Sequence, residues 1–407
     1  MSRQPYLSAV NERVIVFDGA FGTFVQDLDL GPDDFGGASL EGCNEYLCIT
    51  RPDVIRQMHS AFLDVGVDVL ETASFGSFST VLSEYNISDK AYELNVEAAR
   101  LARETANDYE SSSKARYVAG SIGPGTKLPS LGHIRFAELR DAYVEQARGL
   151  IVGGADLFLI ETCMDLLQIK AAMIACRRAM VAEGREIPIQ VQVTMETTGR
   201  MLVGSEVGAA LTAISAMKPD VFGINCATGP AEMQEHLRYL SQNASMPISV
   251  LPNAGLPSIV DGRTHYDLTP AELAKFHHHH VNDLGIGIVG GCCGTTPAHL
   301  KAVVDAVSGM AAPKRTPIVE PSVASIYSSV PMVQDKSFLI IGERTNTNGS
   351  KAFRDAMIAG DWDNCSKIAT EQIREGAHVL DVCVDYVGRD GAIDMDEIAS
   401  RFATQAS

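Results

Sequence analysis

The stretch Gly290-Gly291-Cys292-Cys293-Gly294-Thr295-Thr296-Pro297 carries two adjacent cysteines and directly follows an apolar run, Ile286 to Val289. Adjacent side chains of an extended strand point to opposite faces, so both sulfurs can serve one site only where the backbone bends. The flanking glycines permit that bend. Three interpretations remain open: two ordinary buried cysteines, a strained disulfide between neighbours, or thiolate ligands of a metal ion.

The chain upstream of this stretch alternates between short apolar runs and longer segments with helical periodicity. The runs are almost continuously apolar, as in parallel strands that are buried on both faces. Eight strands over about 300 residues predict a (β/α)8 TIM barrel at residues 1–310, with an open doubly wound sheet as the alternative. The candidate strands are Val14–Ala20, Val67–Phe75, Arg116–Gly123, Ala155–Thr162, Pro188–Met195, Asp220–Ala227, Pro247–Gly255 and Ile286–Gly294.

Composition excludes several classes of protein. The chain has 407 residues, 46% of them hydrophobic, and a formal net charge of −18, which argues against nucleic acid or an anionic membrane as its main partner. Met1 to Val10 lacks a basic region followed by an apolar run, so we expect no secretory signal. Nine cysteines in such a chain favour metal binding or chemistry over a disulfide framework. We therefore expect a cytoplasmic protein.

The character of the sequence changes after the predicted barrel. Residues 311–336 contain four prolines and several serines without helical or strand periodicity, which predicts an extended linker. Residues 337–407 predict a second α/β segment with strands at Phe338–Ile341 and His378–Val382 and a helix around Glu371–Glu375. About 70 residues are too few for a closed barrel, so this segment is predicted to be an incomplete domain.

Four consecutive histidines, His277 to His280, lie in the predicted helix that begins at Thr269. Their position inside the barrel makes a purification tag a poor explanation. A solvated helix face is the favoured interpretation, and an adventitious metal site is the alternative.

Reactive groups of a TIM barrel sit at the carboxyl ends of its strands. Strands six, seven and eight are neighbours, and strand one closes against strand eight, so their terminal residues should converge at the barrel mouth. Strand four contributes one further carboxylate. The candidates selected in this way are Asp18, Glu161, Cys226, Asn253, Cys292 and Cys293.

Three cysteines form a soft ligand set that suits zinc. No other cysteine of the predicted barrel fits as a fourth ligand, which leaves one position for water, for the amide of Asn253 as a weak ligand, or for a substrate. A thiol bound there would lose its proton and become a nucleophile. Asp18 and Glu161 could then bind an ammonium group, although structural carboxylates remain the alternative. The site suggests an amino acid that bears a thiol.

These residues resemble the homocysteine S-methyltransferase family over residues 1–310. Asn225-Cys226 and Gly290 to Gly294 match its zinc motif, and further blocks match at Phe17–Thr23, Glu71-Thr72, Gly120–Pro124 and Ile160–Thr162. The resemblance implies that Cys226, Cys292 and Cys293 bind zinc and that homocysteine thiolate takes the fourth place, which Asn253 can occupy without substrate. It further implies that Asp18 and Glu161 hold the amine, while backbone N–H groups around Phe21 and Gly22 hold the carboxylate.

The second segment resembles the start of a pterin-binding barrel through Ile341 to Asn346 and Val379 to Val382. This order of domains resembles the cobalamin-dependent branch of the family, in which methylcobalamin donates the methyl group and is regenerated from methyltetrahydrofolate. The resemblance implies that Asp381 and Asn346 contact the pterin. Cys383 departs from the asparagine that is usual two residues after that aspartate.

The resemblance implies a methyltransferase that forms methionine, with the remaining pterin-binding and cobalamin-binding modules as its partners. Two alternatives stay open. The first is a stand-alone methyltransferase that uses S-methylmethionine or betaine. The second is a non-enzymatic barrel with a structural zinc site, for which four protein ligands would be the distinguishing feature.

Overall fold

The computed structural model describes residues 3–111, 114–260 and 263–405. The chain divides into two compact units, of which the first comprises residues 1–202 and 214–318 and the second comprises residues 203–213 and 319–407. The boundaries 1–310, 311–336 and 337–407 stay predictions. Among the described residues, no helix has both the length and the apolarity that crossing a membrane requires.

Eight parallel strands form the barrel of the first unit, and each overlaps its predicted range. Successive strands pair in ring order, β1 pairs with β8, and a parallel bridge between Phe17 and Val69 joins β1 to β2. This closure excludes the open doubly wound sheet. The strands are β1 (Ile15–Val16), β2 (Val69–Glu71), β3 (Tyr117–Ile122), β4 (Leu157–Cys163), β5 (Ile189–Val193), β6 (Val221–Asn225), β7 (Ile248–Leu251) and β8 (Ile288–Val289).

Helices separate the strands as the alternating pattern predicts. In chain order the described α-helices are α1 (Tyr6–Glu12), α2 (Phe21–Gln26), α3 (Leu47–Thr50), α4 (Pro52–Asp64), α5 (Ser79–Leu82), α6 (Ala91–Asp108), α7 (Phe136–Gly153), α8 (Leu166–Glu183), α9 (Val207–Ser215), α10 (Gln234–Asn243), α11 (Pro270–Asn282), α12 (Pro297–Val307), α13 (Lys351–Ala359), α14 (Trp362–Arg374) and α15 (Gly391–Gln405). Thr269 caps α11 as predicted, because its hydroxyl accepts from the Glu272 backbone N–H and the Glu272 carboxylate accepts in return.

The barrel interior is packed from its amino end by α1. Tyr6 is buried against the rings of Phe17 and Tyr117, and its hydroxyl donates to Gln190 Oε1 at 2.8 Å. On β6, a Cβ at Gly223 would lie 2.1 Å from the carbonyl oxygen of Ser249, so only glycine allows β6 and β7 to pair there. The filled interior leaves the carboxyl ends of the strands as the place for a site.

Two antiparallel hairpins were not predicted. Pro257–Val260 and Arg263–Tyr266 form the first, between β7 and α11. Ser322–Ala324 and Ser329–Pro331 form the second, inside the stretch that was expected to be extended without strands. Both are short ribbons whose strands need few apolar residues, so periodicity in the sequence gives little sign of them.

The second unit contains a two-stranded parallel sheet, β9 (Ile341–Asn346) and β10 (Val379–Cys383). Its buried core includes Phe353, Met357 and Ile398 from the surrounding helices. The predicted strand at Phe338–Ile341 was placed too early, since the structure begins it at Ile341. The α/β character of the segment is as expected.

Candidate functional site

Three thiols meet at the carboxyl ends of β6 and β8. The Sγ atoms of Cys226, Cys292 and Cys293 all lie within 4.8 Å of one another, and those of Cys226 and Cys293 are 3.8 Å apart. Within the described ranges this is the only group of three or more His, Cys, Asp or Glu side chains close enough to hold one ion. The strand-end rule therefore predicted correctly that these cysteines converge.

The backbone around the thiols is held in uncommon conformations. Cys226 and Ala227 have φ angles of 60° and 58°, a region that non-glycine residues rarely adopt and that clusters at functional sites. Gly294 has φ of 78°, and a Cβ at Gly291 would lie 2.4 Å from Thr295 Oγ1. Gly294 therefore permits the predicted bend through its positive φ angle, and Gly291 permits it because a side chain would not fit at that position.

Electrostatic repulsion limits how many of the thiols can ionise on their own. Hydrogen bonds from the thiols of Cys226 and Cys292 lower the pKa of Cys293 to about 3. Hydrogen bonding with the other two thiols, together with burial, raises the pKa of Cys292 well above its ordinary value. A divalent cation would offset the repulsion and let all three ionise. Three converging soft donors therefore fit zinc with one position open.

Asn253 follows β7 and is 2% exposed. Its backbone N–H donates to the carbonyl of Thr228 at 3.1 Å, but its side-chain Oδ1 has no hydrogen-bond partner among the described residues. A buried amide oxygen without a partner calls for a donor or a cation. This observation favours the prediction that Asn253 acts as a weak ligand.

A cavity of about 230 Å³ opens beside the thiols. All three cysteines line it, as do Glu161 and the first two residues of α2, Phe21 and Gly22. Asp18 and Asn253 are not part of its lining, although both are buried within the same end of the barrel. Six of the predicted site residues therefore line the cavity: the three cysteines, Glu161, Phe21 and Gly22. The other two, Asp18 and Asn253, do not line it.

Glu161 projects from β4 and is anchored from both sides. Its Oε1 accepts from Ser121 Oγ at 2.6 Å, and its Oε2 accepts from Asn225 Nδ2 at 3.2 Å. Burial raises the pKa of Glu161 to about 7, so the carboxyl changes charge near neutral pH.

Glu71, at the end of β2, is a cavity residue that was not selected from the sequence. Its Oε1 is buried without a hydrogen-bond partner, and burial raises its pKa well above the ordinary value. Both carboxylate oxygens of Asp18 accept from the Glu71 backbone N–H at 3.1 Å, so Asp18 fixes the end of β2. The strand-end rule that selected Asp18 and Glu161 could have selected Glu71.

No ion pair joins Asp18, Glu71 or Glu161 to a lysine or arginine in the part of the chain that the structure describes. Burial raises the pKa of Asp18 and that of Glu71 well above their ordinary values, and the nearby Glu161 carboxylate raises both further. A cationic group on a ligand would relieve this repulsion. This cluster of three carboxyls is therefore suited to binding an ammonium group.

The expectation of a solvated histidine run is wrong for two of its four members. His277 and His280 are completely buried, whereas His278 is exposed. The two buried rings share a helix face with Leu273 and Val281, at spacings of four, seven and eight residues from Leu273. That periodicity was visible in the sequence and could have located them.

The two predicted pterin contacts lie together in the second unit. Asn346 ends β9, and its Nδ2 donates to Asp381 Oδ2 at 2.9 Å. Cys383 pairs with Asn346 across the sheet, and its Sγ lies 3.5 Å from Asn348 Nδ2. The cysteine therefore stands beside this pair of polar side chains.

Comparison with known proteins assigns the two segments to separate family models. The model of homocysteine S-methyltransferases matches residues 15–307, and the model of pterin binding enzymes matches residues 342–406. The homocysteine methyltransferase MmuM of Escherichia coli, in its metallated form, has a similar fold. Its TM-score is 0.58 with 21% sequence identity, and the match covers 72% of this chain and 95% of that chain.

Two curated relatives are similar along nearly the whole chain. Methionine synthase of Mycobacterium tuberculosis is 53% identical over 401 residues, and that of Mycobacterium leprae is 51% identical over 403 residues. Each match covers 98% of this chain, but only 34% and 33% of the respective relative. The chain spans about a third of the length of these relatives. With the family model matched across the whole barrel, this chain belongs to the homocysteine S-methyltransferase family.

Proposed function

We propose that this chain binds zinc through Cys226, Cys292 and Cys293 and presents homocysteine as a thiolate for methylation to methionine. The observation that carries the proposal is the convergence of three thiols, within 4.8 Å of one another, on a cavity that also holds carboxyls without a cation. An amino acid with a thiol satisfies both halves of that cavity at once.

The side chains around the cavity then have separate roles. Glu161 and Glu71 bind the ammonium group of homocysteine, while Asp18 holds the end of β2 in place and adds negative charge behind them. Phe21 and Gly22 begin α2, so their backbone N–H groups have no partner within the helix. Both residues line the cavity, where these N–H groups bind the substrate carboxylate. The buried Oδ1 of Asn253, which has no hydrogen-bond partner among the described residues, would fill the open coordination position in the absence of substrate.

Zinc, when bound, supplies a Lewis acid that lowers the pKa of a coordinated thiol. The half-buried cavity limits the contact of the sulfur with bulk water, which favours its nucleophilicity. The carboxyls fix the amino acid by its ammonium end, so that the thiol points toward the cysteines. The substrate sulfur would form its new bond to the methyl group of the donor, while the bond between the methyl group and its carrier breaks and leaves its electron pair on the carrier.

The methyl donor is methylcobalamin, which is regenerated from methyltetrahydrofolate. Both molecules are bound by domains of a longer protein. The pterin model that matches residues 342–406 supports this choice over S-methylmethionine or betaine. Asp381 and Asn346 are the proposed pterin contacts. A reducing, cytoplasmic compartment fits the site, because Cys226 and Cys293 must remain thiols.

A titration of the purified chain tests the proposal. We expect one zinc ion per chain by elemental analysis and about one proton released as homocysteine binds. Zinc without proton release or homocysteine binding would instead indicate a structural metal site. Absence of zinc from chains whose cysteines are shown to be reduced would contradict the proposal altogether.

A further inference from the structure

Two buried histidines of α11 connect the segments that carry the zinc-binding cysteines. His277 and His280 are both 0% exposed, and their rings lie edge to face with centroids 5.4 Å apart. Apolar side chains would fill the same space without burying polar atoms. The presence of two imidazoles there requires an explanation in terms of their hydrogen bonds.

The hydrogen bonds of the two rings are fully determined by their partners. His277 Nε2 lies 2.7 Å from the carbonyl oxygen of Gly290, which can only accept, so this nitrogen carries the proton. Burial lowers the pKa of His277 to about 4, so the ring is neutral and its Nδ1 is an acceptor. His280 Nδ1 lies 3.4 Å from that nitrogen and must therefore donate to it.

The far end of the chain of bonds reaches α10. His280 Nε2, which has no proton, accepts from Gln234 Nε2 at 2.9 Å. The same Gln234 amide also donates to the carbonyl of Pro230 at 3.1 Å, which fixes its orientation. We call Gln234, His280 and His277, in this order of donation toward Gly290, the histidine relay.

The relay ends on the two segments that deliver the metal ligands. Gly290 lies two residues before Cys292, and Pro230 lies four residues after Cys226. Cys226 follows β6 and Cys292 follows β8, so a metal site depends on the separation of these two segments. Backbone bonds join both segments to β7 and its loop, since the Cys226 N–H donates to the Leu251 carbonyl at 3.1 Å and the Cys292 N–H donates to the Pro252 carbonyl at 2.8 Å. The relay adds a second connection, made by side chains, on the side of α10 and α11.

We propose that the histidine relay positions the Cys226 and Cys292–Cys293 segments for zinc, as hydrogen-bonded outer partners do in metal sites. This inference rests on the proposed function. Outer partners of metal ligands typically change metal affinity by 10- to 100-fold. Here the partner acts on the backbone that carries the ligands and never touches the metal, so His277, His280 and Gln234 are positioning residues.

The test compares four variants of the full chain. His277→Leu removes the donor to Gly290, His277→Gln supplies an amide donor in its place, and Gln234→Met removes the far end of the relay. His59→Leu is the matched control, because His59 is equally buried in α4 and its ring nitrogens have no partner among the described residues. Zinc affinity is measured by chelator competition, and site geometry from the thiolate-to-cobalt absorption of the Co²⁺-loaded proteins.

We expect His277→Leu and Gln234→Met to weaken zinc binding about 10- to 100-fold and to shift the cobalt spectrum. His277→Gln should restore most of the affinity, and His59→Leu should leave both readouts as in the wild type. If His277→Leu does not fold, Gln234→Met and His277→Gln decide the question. Wild-type zinc affinity in Gln234→Met, or equal losses in His59→Leu, would overturn the relay. A wild-type chain that binds no zinc would instead overturn the proposed function beneath it.

Discussion

Glu161 is a carboxyl of the candidate site whose charge changes near neutral pH. Burial raises its pKa to about 7, so the carboxylate that we propose to bind the ammonium group is present above that pH and is lost as the pH falls through it. Homocysteine affinity should therefore fall as the pH is lowered from about 8 to about 6. Ionisation of the substrate thiol works in the same direction, and a variant is needed to separate the two.

Glu161→Gln separates them, because it keeps the shape and the bond from Ser121 but has no charge. We expect normal zinc content and roughly 10- to 100-fold weaker homocysteine binding at pH 8, the range for a lost charged hydrogen bond. The ratio of the variant and wild-type dissociation constants should shrink toward pH 6, where the wild-type carboxyl is protonated too. Calorimetric titrations at both pH values measure that ratio. An unchanged affinity at pH 8 would remove Glu161 from the substrate site.

Cys226 tests whether the thiols serve chemistry or stability. Cys226→Ala should abolish zinc and homocysteine binding together, while the barrel stays folded on its large apolar core. Cys176→Ala is the control, since Cys176 is a fully buried cysteine of α8 outside the site. Elemental analysis and thermal unfolding followed by circular dichroism give both readouts. Outright unfolding of Cys226→Ala beside a folded Cys176→Ala would make the zinc site structural.

The turn after β8 is the element on which the metal site depends most directly. A Cβ at Gly291 would lie 2.4 Å from Thr295 Oγ1, which itself donates to the carbonyl of Cys292. Gly291→Ala must therefore displace the turn that carries two of the three ligands, and we expect weaker zinc binding by at least about tenfold. Chelator competition measures the loss.

Gly287→Ala, three residues before the start of the turn on the same segment, is the matched control. A Cβ there would meet only Pro313 Cδ at 3.5 Å and Cγ at 3.8 Å, which is ordinary contact. Zinc affinity in this variant should equal that of the wild type. Equal losses in the two variants would mean that glycine content of the segment, rather than the turn, matters.

At the level of elements, the sequence predicts what repeats and misses what occurs once. The eight strands were identified because strands buried on both faces are continuously apolar, and strand order follows from barrel closure. The two strands of the hairpin, Pro257–Val260 and Arg263–Tyr266, are not continuously apolar. Ile259 within the hairpin and Leu256 next to it are exposed, so no buried face marks these strands in the sequence. The helical period places His277 and His280 on the buried face of α11 with Leu273 and Val281. Their burial was missed because the four consecutive histidines were interpreted as one group rather than position by position.

At the scale of the whole molecule, the two units differ in how fully they bury their apolar residues. The strands of the barrel are buried along their length, whereas β9 and β10 belong to a sheet of two strands. Phe338, Ile341 and Val387 of the second unit are 90%, 57% and 93% exposed. The two mycobacterial relatives are about three times as long as this chain, which covers 34% and 33% of them. We therefore expect the first unit to bind its ligands by itself more readily than the second unit.

This difference predicts which partial reactions the chain can carry out. The residues proposed to bind zinc and homocysteine all belong to the first unit, so we expect both activities in the 407-residue chain. Methyl transfer from free methylcobalamin to homocysteine should proceed slowly, because the proposed thiolate site lies within this chain but a free donor must reach it by diffusion. Methyl transfer from methyltetrahydrofolate with catalytic cobalamin should be undetectable, because the proposed pterin contacts Asn346 and Asp381 lie on a sheet that has two strands among the described residues. Following methionine formation from each donor, with Cys226→Ala as the blank, measures both steps. Turnover with methyltetrahydrofolate at a rate above that blank would show that residues 342–406 bind and activate the pterin without further sequence.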